Sequence, residues 1–136
     1  ADIPVFQMSI DYNKPPAWHY ALAAELKALR QKGVLVLGSG NIVHNLRMVT
    51  FHDFSQKYDW AVEFDEYVKQ RLAAGDHQAL VNYQQYGRAA QLSVPTNDHY
   101  LPMLYTLGLL DKNESINFTY EEVLGGSISM RCFESA

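Results

Sequence analysis

Gly33-Val34-Leu35-Val36-Leu37-Gly38-Ser39-Gly40-Asn41 is the stretch on which the fold turns. Four consecutive apolar residues between glycines are too few for a helix, and they read as a strand buried on both faces of a parallel sheet. Upstream, Trp18, Leu22, Leu26 and Leu29 recur at helical spacing through residues 17–32. Lys27, Arg30, Gln31 and Lys32 load the last turns of that helix with groups that suit the macrodipole, and Gly33 closes it. Before it, residues 3–10 are apolar and β-prone until Asp11-Tyr12-Asn13-Lys14-Pro15-Pro16 stops them with turn formers. The unit is therefore β-α-β. A helix start near residues 42–46 places His44 just beyond the carboxyl end of a central strand, where open α/β sheets hold their ligands.

Downstream, Trp60, Phe64, Tyr67, Val68 and Leu72 predict a second amphipathic helix, with Asp59 as its N-cap and Gly75 as its stop. Residues 79–86 predict a short helix. Pro95-Thr96-Asn97-Asp98 supplies turn and capping chemistry ahead of Tyr100, Met103, Leu104 and Leu107, with Pro102 either kinking that helix or beginning it. Strand character returns at residues 115–120 and 127–133, separated by a Gly125-Gly126 bend. The expected class is α/β, a layered sheet with flanking helices, although three or four strands leave the sheet incomplete.

At 136 residues, 48% hydrophobic, the chain can bury one sizeable core, so residues 1–136 read as a single unit. Its net charge of −4 is dispersed, with no basic stripe for nucleic acid. One cysteine, Cys132, excludes an internal disulfide and a thiolate metal cluster, and fits a reducing compartment, the cytoplasm by default. No apolar run approaches the roughly 20 residues that span a bilayer, so no membrane partner is expected. A chain that opens Ala1-Asp2-Ile3-Pro4-Val5-Phe6, without Met, enters a strand pattern at once and is expected to be a fragment or a processed chain.

Gly38-Ser39-Gly40 after a strand invites a dinucleotide-binding reading, but Val43 stands where a third glycine belongs and no acidic residue follows at the expected distance. The glycines are better read as a tight turn presenting His44. Among the five histidines, His19, His52 and His77 read as solvated surface groups. His44 and His99 each follow a Gly- or Pro-containing turn and begin a helix, which fixes an imidazole while leaving one nitrogen free; taken singly, a structural role still outweighs a functional one for either. Tyr100, Tyr105, Trp18 and Trp60 read as core packing rather than a wall for a ligand.

The combination of Gly38-Ser39-Gly40-Asn41-Ile42-Val43-His44-Asn45-Leu46-Arg47 with Pro95-Thr96-Asn97-Asp98-His99-Tyr100-Leu101-Pro102-Met103-Leu104-Tyr105 resembles two signature regions of the DOPA 4,5-dioxygenase group of class III extradiol ring-cleaving dioxygenases. Supporting stretches at residues 4–11, 14–19, 59–68, 80–83 and 125–130 extend the resemblance over the whole chain. It implies a catechol substrate, dioxygen, and one mononuclear Fe(II) or Zn(II). It also implies that His44 acts as acid/base and contacts the metal, that His99 completes coordination, and that Asn45 is a hydrogen-bonding partner for a site imidazole. Glu121 or Glu122 is the alternative carboxylate ligand should His99 not coordinate.

Family members carry an N-terminal half with Gly-His-Gly-Ser-Pro and Ser-Ala-His-Trp segments, each giving a metal histidine, and neither occurs here. The resemblance thus implies the C-terminal portion of a larger catalytic domain, inactive alone, with the N-terminal half as its partner. An exposed apolar edge, self-association and weak metal binding through two imidazoles at most are expected. Two other readings stay open: a non-catalytic α/β interaction module, and, less favoured, a nucleotide-binding domain.

Overall fold

The computed structural model describes residues 2–135. Its α-helices are α1 (Pro16–Glu25), α2 (Asp59–Ala73), α3 (His77–Val81), α4 (Arg88–Ser93) and α5 (Leu101–Gly108), followed by strands β1 (Ile116–Tyr120), β2 (Val123–Leu124), β3 (Ile128–Ser129) and β4 (Cys132–Ser135). α1 starts on Pro16, whose fixed φ and missing N–H suit a first turn. The single helix expected over residues 17–32 instead breaks at Leu26 into a 3₁₀ segment, Lys27–Lys32. That tighter segment is tied to the far end of the chain: Lys27 Nζ donates to Leu110 O (2.7 Å) and Arg30 Nη1 to Leu109 O (2.7 Å). Gly33, at φ 78°, ends it in the left-handed region that glycine enters without steric cost.

α2 follows its periodicity. Ala61, Phe64, Val68 and Leu72 are buried at spacings of three and four, facing α3 and α4. Its N-cap is Tyr58 rather than Asp59, which sits inside the first turn, where its charge meets the positive end of the helix dipole. Pro102 begins α5 rather than kinking it. α5 lies against α1, and Gly108 permits the approach: a Cβ there would stand 2.6 Å from both the Ala23 Cβ and the Tyr20 carbonyl oxygen. Phe64, Val68, Leu80, Tyr100, Leu101, Leu104 and Val43 form the main core.

The central strand does not form as expected. Residues 3–10 and 34–37 join no ladder, and Leu35 and Leu37 are 81% and 82% exposed instead of buried on both faces. A doubly buried strand must satisfy its N–H and C=O groups on both edges, and no described segment supplies those neighbours. Two small antiparallel ladders form instead, β1 with β4 and β2 with β3. The strand expected over residues 127–133 divides because Arg131 turns inward. Its guanidinium is buried against Asp65, with Glu66 and Glu121 beside it. A carboxylate at position 65, on the apolar stripe of α2, was the readable sign of that buried pair. No helix among the described residues is long and apolar enough to cross a membrane.

Candidate functional site

Gly38 and Gly40 let the chain lie directly on the start of α5. A Cβ at residue 40 would fall 2.1 Å from the His99 carbonyl oxygen, and one at residue 38 would fall 2.7 Å from the Pro102 carbonyl oxygen. That surface, taken by neighbouring backbone, offers no cradle for a pyrophosphate, which removes the physical basis of the dinucleotide reading. The same packing brings two distant turns together. Asn41 N–H donates to His99 O (3.0 Å), and the Asn41 side-chain amide donates to Ser129 O (2.8 Å).

His44 follows in extended backbone, bridging to Ile128, rather than at a helix start; the helical residues nearby are the short 3₁₀ turn Leu46–Met48. Its N–H donates to Ser93 O (2.9 Å), and Val43 O accepts from Ser129 N (3.0 Å), so the backbone on both sides is held. His44 is 4% exposed, with Nδ1 3.0 Å from Asn41 O and Nε2 2.8 Å from Thr96 O. His99 lies in the turn before α5, half exposed, with its ring centroid 5.0 Å from that of His44. It borders a groove of about 690 Å³ that runs between residues 34–42, α5 and residues 131–135.

Burial pushes the His44 pKa down, and the nearby His99 adds to that; the two backbone carbonyls and Asp98 pull the other way without prevailing. His44 is therefore neutral at neutral pH, with a single N–H between two carbonyl oxygens. The ring nitrogen without the proton faces a carbonyl oxygen lone pair to lone pair, an unfavourable contact that a cation or a donor hydroxyl at that nitrogen would relieve. Asp98 Oδ2 lies 3.5 Å from His99 Nε2, and the Thr96 hydroxyl, then the backbone N–H of Asp98, hold the Asp98 carboxyl below its usual range. Asn41, Thr96 and Asp98 are thus the site residues that sequence reasoning passed over; the visible signal was their place in the turns flanking each histidine.

Asn45 does not hold the His44 ring. Successive residues of extended backbone face opposite ways, and the Asn45 amide donates to Leu92 O (2.8 Å) while its buried Oδ1 has no partner. Glu121 and Glu122 are engaged elsewhere, Glu121 with Lys69 and Arg131, Glu122 with the Tyr120 hydroxyl. His52 is exposed, but His19 is fully buried with Nδ1 2.9 Å from the Tyr105 hydroxyl, and His77 Nδ1 lies 2.9 Å from the Tyr20 hydroxyl. α1 turns His19 inward with Ala23, four residues on, which a reading from composition overlooks. Among the described residues no set of three His, Cys, Asp or Glu side chains is arranged to hold an ion.

Residues 1–129 match the family described as the catalytic LigB subunit of aromatic ring-opening dioxygenase. The chain is 47% identical over 133 residues to the 4,5-DOPA dioxygenase extradiol of Escherichia coli K12, covering 96% of this chain and 49% of that protein. It is 32% identical over 113 residues to the protein of the same name from Mirabilis jalapa, covering 83% of this chain and 42% of the relative. The crystal structure of an uncharacterized Escherichia coli K12 protein superposes with a TM-score of 0.85 at 44% identity, over 92% of this chain and 52% of that one. The chain spans about half the length of the relatives it matches. It belongs to the LigB family of class III extradiol aromatic ring-opening dioxygenases.

Proposed function

We propose that this chain carries part of the active site of an extradiol dioxygenase that opens a catechol ring with O2, and that residues outside the chain complete that site. The observation that carries the reading is the pairing of the His44 and His99 rings, 5.0 Å apart, at the meeting of two distant turns. Family membership implies a mononuclear metal site. Two imidazoles bound to one ion at the usual Zn–N distance of about 2.0–2.1 Å have centroids about 5 Å apart, so the ring separation suits a shared ion once His44 Nε2 leaves Thr96 O. Neutral imidazole is also a donor that Fe(II) and Zn(II) accept.

His99, half exposed, is the coordinating residue, and His44 is the acid/base that also reaches the ion. When bound, the ion supplies Lewis acidity and, as Fe(II), the electrons that dioxygen activation requires. His44, kept neutral by burial, takes a proton from a catechol hydroxyl and returns it as the ring opens. For this, one nitrogen must leave its carbonyl, and Thr96 O, on an exposed turn, is the one released. Asn45 acts at one remove, tying the segment after His44 to Leu92 and, through its N–H, to Ser127.

Two imidazoles do not complete a coordination sphere, so the remaining ligands come from the half of the fold that the relatives possess beyond this match. The exposed apolar segments at residues 3–10 and 34–37 receive strands from it. We take the substrate to be a DOPA-type catechol, following the name of the relatives, and the compartment to be the cytoplasm, which suits the exposed thiol of Cys132.

The test is the complete protein with His44→Ala. Catechol-dependent O2 uptake should be lost while far-UV circular dichroism stays that of the parent. A kcat/KM close to the parent's would sink the assignment.

A further inference from the structure

We propose that Asn41 is a positioning residue that sets which nitrogen of His44 works: its carbonyl holds Nδ1–H while its side-chain amide locks that carbonyl onto β3, so that Nε2, which lies against Thr96 O, is the nitrogen given up to the site. The proposal rests on the reading of His44 as a working residue and adds the device that orients it.

Asn41 is the residue whose backbone touches both histidines. Its N–H donates to His99 O at 3.0 Å and its carbonyl accepts from His44 Nδ1 at 3.0 Å. Its amide nitrogen donates to Ser129 O at 2.8 Å, and Ser129 N in turn donates to Val43 O at 3.0 Å. The loop from 41 to 44 is thus closed on β3 at both ends. Gly40, pressed onto the His99 carbonyl, prevents it from drifting toward solvent. The competing acceptor for His44, Thr96 O, is the nearer of the two, 2.8 Å from Nε2 against 3.0 Å from Nδ1 to Asn41 O, but Thr96 is itself exposed.

A neutral imidazole has one N–H to place between the two acceptors. The carbonyl of Asn41 is anchored through the Asn41 amide to Ser129 O, whereas Thr96 is exposed, with water within reach as an alternative partner for its carbonyl. The proton therefore stays on Nδ1, and the lone pair on Nε2 becomes available to an ion or a catechol hydroxyl. A hydrogen-bonded partner on the second nitrogen is the usual means of fixing the tautomer of a metal-site imidazole.

The measurement is a long-range ¹⁵N–¹H spectrum of the histidine rings at pH 7.5, in the parent, Asn41→Ala and Asn41→Leu, the last keeping the volume of the side chain. The parent should show His44 as the Nδ1–H tautomer. Both variants should move the His44 ring nitrogens toward a mixture of tautomers, and in the complete protein both should bind Zn²⁺ roughly 10–100-fold more weakly. Tyr20→Phe removes a hydrogen bond of similar kind elsewhere and should leave the His44 signals in place. Unchanged ring signals in folded Asn41→Leu or Asn41→Ala, or a parent in the Nε2–H form, would overturn the proposal. Shifted signals with undiminished catechol turnover would uphold the positioning role and refute instead the acid/base reading of His44.

Discussion

Replacing Gly40 by alanine probes the packing that assembles the site. The added methyl would lie 2.1 Å from the His99 carbonyl oxygen and 3.3 Å from the Pro102 Cγ. The first obstacle is backbone, so no side chain can swing aside, and the turn at residues 38–41 must lift from α5 by about 1 Å to reach ordinary contact. Overpacking of this kind costs about 1–3 kcal/mol. The adjoining Asn41 N–H to His99 O bond, 3.0 Å long, is stretched by the same movement, which adds about 1 kcal/mol. The sum is about 2–4 kcal/mol, or a fall in Tm of about 6–16 °C for a chain of this length. Gly75→Ala is the comparison: nothing stands within 4 Å of its Cβ, so at φ +66° it bears only the left-handed backbone cost of about 1–2 kcal/mol. Urea unfolding followed by circular dichroism measures both. A Gly40→Ala chain destabilised by less than about 0.5 kcal/mol, or by less than Gly75→Ala, would refute the close approach of these two turns.

Arg131→Met should destabilise by about 3–5 kcal/mol because it strands the buried Asp65 carboxylate, and Asp65→Leu added to it should recover most of the loss; thermal melts of the two check this. Glu114, held at a pKa of about 2 chiefly by the Arg30 guanidinium, contributes stability that is full above its ordinary value near 4.5 and lost as pH falls toward 2. Glu114→Gln should therefore flatten the urea midpoint over that window, by about 1–2 kcal/mol after allowing for its partial exposure. Burial lowers the pKa of His19, so the folded state resists its protonation and stability drops as pH falls below 6.5; His19→Leu should make that drop shallower in denaturation curves at pH 7.5 and 5.5.

What the sequence disclosed was local. α2 and α5 are written in apolar spacing and a starting proline, and the Gly125-Gly126 bend in glycines at φ 53° and 82°. His44 and His99 stood out as candidates through the family resemblance of the two segments that carry them, since the turns beside each, taken singly, left a structural role favoured. What stayed hidden depends on partners remote in sequence. Val34-Leu35-Val36-Leu37 declares a buried strand, but only neighbours on both edges can bury it, and the described residues provide none. Asn41 looked like a turn residue until Ser129, far along the chain, proved to be its acceptor. Arg131 interrupts an apparent strand because Asp65 waits for it inside the core.

The central claim is that His44 and His99 serve one ion, with His99 chiefly a ligand and His44 chiefly an acid/base. Metal content of the complete protein, determined by mass spectrometry after exhaustive desalting, tests it most directly when His99→Ala and His44→Ala are compared with the parent. The account predicts that His99→Ala loses most of its metal while His44→Ala retains the larger share yet fails to turn over catechol. Full and equal metal occupancy in both variants would contradict it.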